Sequence, residues 1–275
     1  MQVSFEKWHG AGNDFIIIDN WDLCRTITPE QVQHLCDRHF GIGADAVILF
    51  EPSDKAECKM NYINADGTPA ETCGNGVRCT AAFGLLHHLQ GDTVRIENPG
   101  GEVETAIVIG RAPWQIRVEQ GSPRTAGVPD FPDDHLGKPL EIDGTALEVW
   151  CVSMGNPHAV QFVDAVADAP VLTQGRAIEH HELFPNRINA EYVEVLSPTE
   201  ANFRVWERGC GETLACGSGA AAATVAGVLA GKFQADTDIT MHLPGGDLIM
   251  RWDRVTDRVY KTGPAQMVYS GEIKL

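Results

Sequence analysis

Two stretches of the chain are apolar on every side, and each one begins at a cysteine. Residues 220–229 read Ala-Ala-Ala-Ala-Thr-Val-Ala-Gly-Val-Leu with no polar face, and residues 77–86 are nearly as bare, Arg78 being the exception. A helix that is apolar all round must be buried all round. The pattern therefore predicts two enclosed helices, over 74–89 and 217–229. Elsewhere short runs, some alternating and some continuously apolar, predict strands over 3–8, 15–19, 46–50, 58–64, 93–98, 102–109 and 115–120. A further helix is predicted from Thr28, where Thr-Pro-Glu supplies an N-cap and a first-turn proline, to about Phe40-Gly41. The later part repeats the order. Strands are predicted over 147–153, 159–163, 190–196, 202–207, 238–243, 247–251, 259–265 and 267–275, with a helix over 170–180. Residues 121–139, rich in Pro, Gly and Asp, read as the connection between the halves.

The repeat is also one of residues. Cys73-Gly74-Asn75-Gly76 and Cys216-Gly217-Ser218-Gly219 lie 143 positions apart. The same offset places Gly155-Asn156 over Gly12-Asn13 and Glu207-Arg208 over Asn64-Ala65, while Pro99-Gly100-Gly101 returns as Pro244-Gly245-Gly246 two residues out of step. The expected architecture is an α+β fold of two pseudo-symmetric halves, each a curved mixed sheet wrapped around its central helix, whose N-terminus points to a cleft between the halves. The halves are expected over 1–121, carrying Cys73, and 122–275, carrying Cys216, with the final strand 266–275 packing on the first half.

Composition narrows the function. At 275 residues there is room for two domains of roughly 100–150 residues with ample core. A net charge of −17 argues against a nucleic-acid partner, which would want a basic face. The start Met-Gln-Val-Ser-Phe-Glu-Lys lacks the apolar core of an export signal, and the weakly polar run 217–231 is too short to span a bilayer. A cytoplasmic protein with no membrane partner is expected. Its eight cysteines include no Cys-x-x-Cys pair and match no structural zinc spacing, so reduced thiols are expected. His87-His88 and His180-His181 lie near predicted helix C-termini and read as solvated side chains rather than metal ligands. Gly10-Ala11-Gly12-Asn13-Asp14-Phe15 starts like a dinucleotide fingerprint but has phenylalanine at the third glycine position and no following helix.

The chemistry concentrates at the two cysteines. A sulfur at a helix N-terminus faces unpaired backbone N–H groups and the positive end of the helix dipole, which lower a thiol's pKa. The glycines that follow let a ligand approach these amides, forming a cradle for a carboxylate. Two such cradles suit holding one α-carboxylate between two sulfurs and moving a proton from one face of a carbon to the other. Two readings compete: both cysteines as buried small hydrophobes, or one as the nucleophile of a hydrolase with His158 as base, which leaves its twin idle. Asn156-Pro157-His158 overlays the Gly-Asn turn of the first half and Glu207-Arg208 runs into the loop before Cys216, which draws both toward the chemistry; a plain turn with a partly buried histidine and a surface ion pair are the alternatives.

The strings HGAGNDF (9–15), NADG (64–67), CGNGVRC (73–79), GNPH (155–158), ERGCGET (207–213) and ACGSGAAAA (215–223) together resemble the diaminopimelate epimerase family, in order and over essentially the whole chain. The resemblance implies an isomerase that interconverts LL- and meso-diaminopimelate without a cofactor, in lysine and peptidoglycan precursor synthesis. It implies Cys73 and Cys216 as alternating acid and base, with His158 and Glu207 beside them. Gly74, Asn75, Gly217 and Ser218 would bind the reacting carboxylate, and Asn13 the proximal amino group. Asn64, Asn156, Asn189 and Arg208 would hold the distal end, with Glu207 on ligand amino groups. Ala46 stands where certain relatives have a substrate-contacting glutamine, so it is not assigned a role. A homodimer is also implied. A racemase for another amino acid, and a binding module without catalysis, remain as alternatives.

Overall fold

The structure is a computed structural model and describes residues 2–69 and 74–275. It divides into two compact units, one formed by Met1–Glu119 with Thr262–Leu275 and the other by Gln120–Lys261.

In the first unit β1 (Gln2–Gly10), β2 (Asn13–Asp19), β3 (Ala46–Glu51), β4 (Cys58–Asn64), β5 (Thr93–Glu97), β6 (Val103–Arg111) and β7 (Trp114–Glu119) are neighbours in that order. The last strand, β16 (Arg258–Lys274), lies beside β7 and pairs antiparallel with β1 from Gln2↔Lys274 to His9↔Gln266, so the sheet closes on itself. The period-two alternation divides the apolar side chains between two cores. Phe15, Ile17, Ala46, Ile48 and Phe50 face inward with Val77, Ala81 and Ala82 of α2 (Gly74–His87). Ile16, Ile18, Val47 and Leu49 face outward beneath Val32 and Leu35 of α1 (Pro29–Cys36). This double burial explains why every residue of β3 is buried. Arg78, the polar interruption in α2, is enclosed with the rest of the helix and donates Nε–H to the Pro264 carbonyl at 3.1 Å.

In the second unit the order is β15 (Gly246–Asp253), β14 (Ile239–Leu243), β12 (Glu200–Glu207), β11 (Asn189–Ser197), β10 (Pro157–Phe162), β9 (Thr145–Ser153) and β8 (Leu136–Ile142), with the short β13 (Gly211–Glu212) on β12. One face of this sheet carries α3 (Val171–Glu179), and α4 (Gly217–Leu229) packs against β9, β10, β11 and β15. The pairing senses reproduce the sequence duplication. From β1 to β6 they run antiparallel, parallel, antiparallel, parallel, antiparallel, and the series β9, β10, β11, β12, β14, β15 repeats this. Each parallel step is spanned by a helix, α1 or α2 in one unit and α3 or α4 in the other, as parallel neighbours require a crossover.

Three expectations are corrected. The helix from Thr28 has the expected capping box with Gln31 but stops at Cys36. Asp37 turns extended and its carboxylate takes the N–H groups of His39 and Phe40 at 2.7 and 2.8 Å, closing a turn where a longer helix is predicted. The expected connection 121–139 contains the start of β8, because Gly137, at φ +66°, passes under the Trp150 ring where a Cβ would stand 2.9 Å from it. The two predicted final strands are one strand, with an irregularity opposite Lys7/Trp8. His87 and His88 are exposed, as expected, and also meet Glu6 at 2.8 Å and Asp19 at 2.7 Å, with His88 stacked on Trp21.

Candidate active site

Cys216 is the N-cap residue of α4, with extended backbone at φ −122° and ψ 106°. Its sulfur accepts the Gly219 N–H at 3.4 Å and lies 3.6 Å from the Ser218 hydroxyl. The Ala-rich turns behind it bury the helix so completely that Cys216 itself is only 5% exposed. This reverses one expectation. Burial pushes the Cys216 thiol well above its ordinary pKa, reinforced by the negative charges of Glu207 and Glu191, and the Ser218 and Gly219 hydrogen bonds only partly oppose them. Desolvation outweighs the helix terminus because removing a thiolate from water costs more than one or two amides return.

β10 and β11 bring the remaining groups to this helix end. His158 is fully buried, and its Nδ1 meets Glu191 Oε1 at 2.6 Å while its Nε2 meets Asn156 Oδ1 at 3.0 Å. The Asn156 amide donates to Ser218 Oγ at 3.3 Å. Asn189 is the register partner of His158; its amide donates to the Pro157 carbonyl at 2.7 Å and its Oδ1 accepts the Arg208 backbone N–H at 2.9 Å. Asn189 thus fixes the chain where β12 ends, and Arg208 is exposed there with Nη1 on the Asn186 carbonyl at 3.1 Å. Glu207 is half-buried and accepts a hydrogen bond from the Thr213 hydroxyl. Lys261 is buried beside Gly217: a Cβ at that position would overlap its Nζ.

The first unit has the corresponding end of a sheet. Asn13 opens β2 and donates to Asp45 at 2.7 Å while accepting from Asn75 at 3.2 Å. Asn75 lies in the first turn of α2 beside Gly74, and its own Oδ1 is buried with no partner among the described residues. Asn64 ends β4 opposite Ala46 and holds Thr68 through its side chain at 3.2 Å. Cys73 lies outside the described residues.

In the second unit His158, Asn156, Ser218 and Cys216 therefore form one hydrogen-bonded chain, Asn189 fixes Arg208 on the neighbouring strand, and Glu207 acts on Cys216 through charge. Two members are absent from the sequence reading. Thr213 ends the string ERGCGET, but nothing in that string marks its hydroxyl as the partner of Glu207. Glu191 has one: it is an acidic residue inside the otherwise apolar run Ala190–Val193 of β11, buried throughout.

The chain matches the model of the family described as diaminopimelate epimerase over residues 5–126 and 150–268. It is 44% identical to diaminopimelate epimerase 1 of Nostoc sp., over 99% of this chain and all of that protein. Identity to the diaminopimelate epimerase of Teredinibacter turnerae is 42%, over the whole of both. Among solved structures, a PhzF-family phenazine biosynthesis protein from Bacillus anthracis shares the fold with a TM-score of 0.72 at 15% identity, over the full length of both chains. A hydroxyproline epimerase from Agrobacterium vitis does so with a TM-score of 0.68 at 11% identity, over 99% of this chain and 91% of that one. With full-length relatives above two-fifths identity and a family model covering both units, this chain belongs to the diaminopimelate epimerase family and is an isomerase.

Proposed function

We propose that the protein interconverts LL- and meso-diaminopimelate by a two-base reaction in which Cys73 and Cys216 act on opposite faces of the α-carbon. One thiolate takes the Cα proton and becomes a thiol; the other thiol delivers its proton to the opposite face and becomes a thiolate. The roles exchange in the reverse direction. The observation that carries this reading is the setting of Cys216, a sulfur capping a bare helix with an amide and a hydroxyl on it, together with the same Cys-Gly-x-Gly string before α2.

The α-proton of an amino acid is a very weak acid, so charge developing on the carboxylate must be stabilised. Amides at the first turns of α2 and α4, at Gly74, Asn75, Gly217 and Ser218, would do this in the manner of an oxyanion hole. Burial pushes the Cys216 thiol up, which suits it to the proton-donating role in one direction of the reaction. When Cys216 loses its proton, Gly219 N–H and Ser218 O–H are in place to hold the charge. The open Asn75 Oδ1 beside Asn13 suits a substrate ammonium group. The exposed Arg208 fork suits the distal carboxylate, assisted by Asn64, Asn156 and Asn189, with Glu207 on an amino group. No cofactor is needed, since the two sulfurs supply both acid and base. We place the enzyme in the cytoplasm as a homodimer supplying lysine and peptidoglycan precursors.

The test follows LL-diaminopimelate in D2O by proton NMR. Loss of the Cα–H signal with growth of the meso isomer is expected, and Cys73→Ala or Cys216→Ala should each abolish epimerisation. Turnover near the native rate in either variant overturns the two-base mechanism.

A further inference from the structure

Glu179 takes no part in the reaction just described, yet it is the last residue of α3 and only 3% exposed. Both circumstances disfavour a carboxylate there: it loses water, and it sits at the negative end of the helix dipole. Two N–H donors from the end of β12 offset this. Glu179 Oε2 accepts the indole N–H of Trp206 at 2.7 Å, and Oε1 accepts the backbone N–H of Gly209 at 2.9 Å. Desolvation pushes the Glu179 carboxyl up, but these two donors, with His180 and Arg187 beyond them, outweigh it and hold it below its ordinary range. An ionised carboxylate only accepts, so both of its oxygens are committed to this pair.

The two donors straddle Glu207 and Arg208. Trp206 is held a second time by packing, since a Cβ at Gly175 of α3 would stand 2.5 Å from the Trp206 Cβ. Between the donors, the Arg208 N–H goes to Asn189 Oδ1 at 2.9 Å. The Cys210 N–H closes a turn on the Glu207 carbonyl at 3.1 Å, with Gly209 supplying the left-handed backbone at φ +78°. The chain is therefore tied at 206, 208 and 209, to α3 on one side and to β11 on the other. An exposed arginine needs no such anchorage for stability. Recognition of a carboxylate by both arms of a guanidinium does need it, because the planar fork must meet two oxygens at a fixed place and angle.

Resting on the reading of Arg208 as the holder of the distal carboxylate, we infer that Glu179 is a positioning residue for substrate selection. By tying Trp206 and Gly209 to one buried carboxylate, it fixes the turn that presents the Arg208 guanidinium. The ligand class this favours carries a second carboxylate remote from the reacting carbon, and the contribution of Glu179 is to binding rather than to the proton transfers at sulfur.

The experiment uses the full chain. Glu179→Gln keeps the shape but turns an NH2 toward one of the two N–H donors, so one of the bonds must be lost. KM for LL-diaminopimelate should rise about 10-fold, as for loss of one hydrogen bond to a charged group, with kcat nearly unchanged. A fall in kcat at unchanged KM overturns the inference. Arg208→Lys gives up the fork and should raise KM as well, and the double variant should be little worse than Arg208→Lys alone. Losses that multiply are those of an independent structural residue and overturn it too. Hydrogen exchange followed by mass spectrometry, with no substrate present, should show Glu179→Gln losing protection at residues 206–210 while β10 and β11 keep theirs; unchanged protection at 206–210 refutes the anchorage. Should Glu179→Gln fail to fold, Trp206→Phe removes the indole N–H alone and is held to the same expectations of KM, kcat and exchange. An unmoved KM in Arg208→Lys removes the distal-carboxylate reading and this inference with it, while the exchange result still tells whether Glu179 holds the turn.

Discussion

At Cys216, opposed influences meet on a single sulfur. Desolvation and two nearby carboxylates favour the thiol, while an amide and a hydroxyl favour the thiolate. Glu207 is the carboxylate that can be neutralised with least disturbance, being half-buried at a strand end with Thr213 as its partner. Glu207→Gln keeps the shape and removes the negative charge, so the thiol pKa must fall. The alkylation rate of the Cys216 peptide, followed by mass spectrometry against pH, should rise at lower pH in the variant than in the native protein. An unmoved profile would mean that burial alone sets the thiol. The position of Cys216 at a helix start is legible in the sequence. Its protonation state is not, because Glu191 and Glu207 reach it from β11 and β12 rather than from its own helix.

α4 shows how an element without a polar face is held. Its glycines are sites of close approach rather than of flexibility: at Gly227 a Cβ would overlap the buried ring of Phe233. Alanine normally gains up to about 1 kcal/mol over glycine inside a helix, but overpacking a close-packed core costs about 1–3 kcal/mol. The second effect wins where nothing can move aside. Gly227→Ala is therefore expected to destabilise the protein by about 1–2 kcal/mol, read as a lower urea midpoint with an unchanged slope; a gain in stability would show that Phe233 yields. The two central helices are readable in advance because enclosure of their middle turns leaves almost no polar face. β8 is not, since Gly137-Lys138-Pro139 has the composition of a turn and only the Trp150 ring explains the glycine. The partners of His87 and His88 escape the sequence for a related reason: Glu6 and Asp19 lie on strands more than sixty residues away along the chain.

At the scale of the molecule, the duplication is visible in residues, in pairing senses and in the position of each buried helix. The units nevertheless differ in how they are completed. The second is continuous in sequence, whereas the first draws its last strand from the far end of the chain. Removing 262–275 should therefore expose β1 and β7, which flank that strand, and leave β9 to β12 intact. Hydrogen exchange followed by mass spectrometry would report this as lost protection confined to the first unit. Uniform loss would show that the second unit cannot stand without the strand.

The same feature sets an order of events during synthesis. Domains ordinarily fold as units as the chain emerges, the N-terminal one first. Here residues 1–119 would wait with an open sheet edge between β1 and β7 until residues 262–275 leave the ribosome. The half made later has all its strands by then, so the nascent chain matures from the inside outward, and the earliest residues made are among the last to reach their native neighbours.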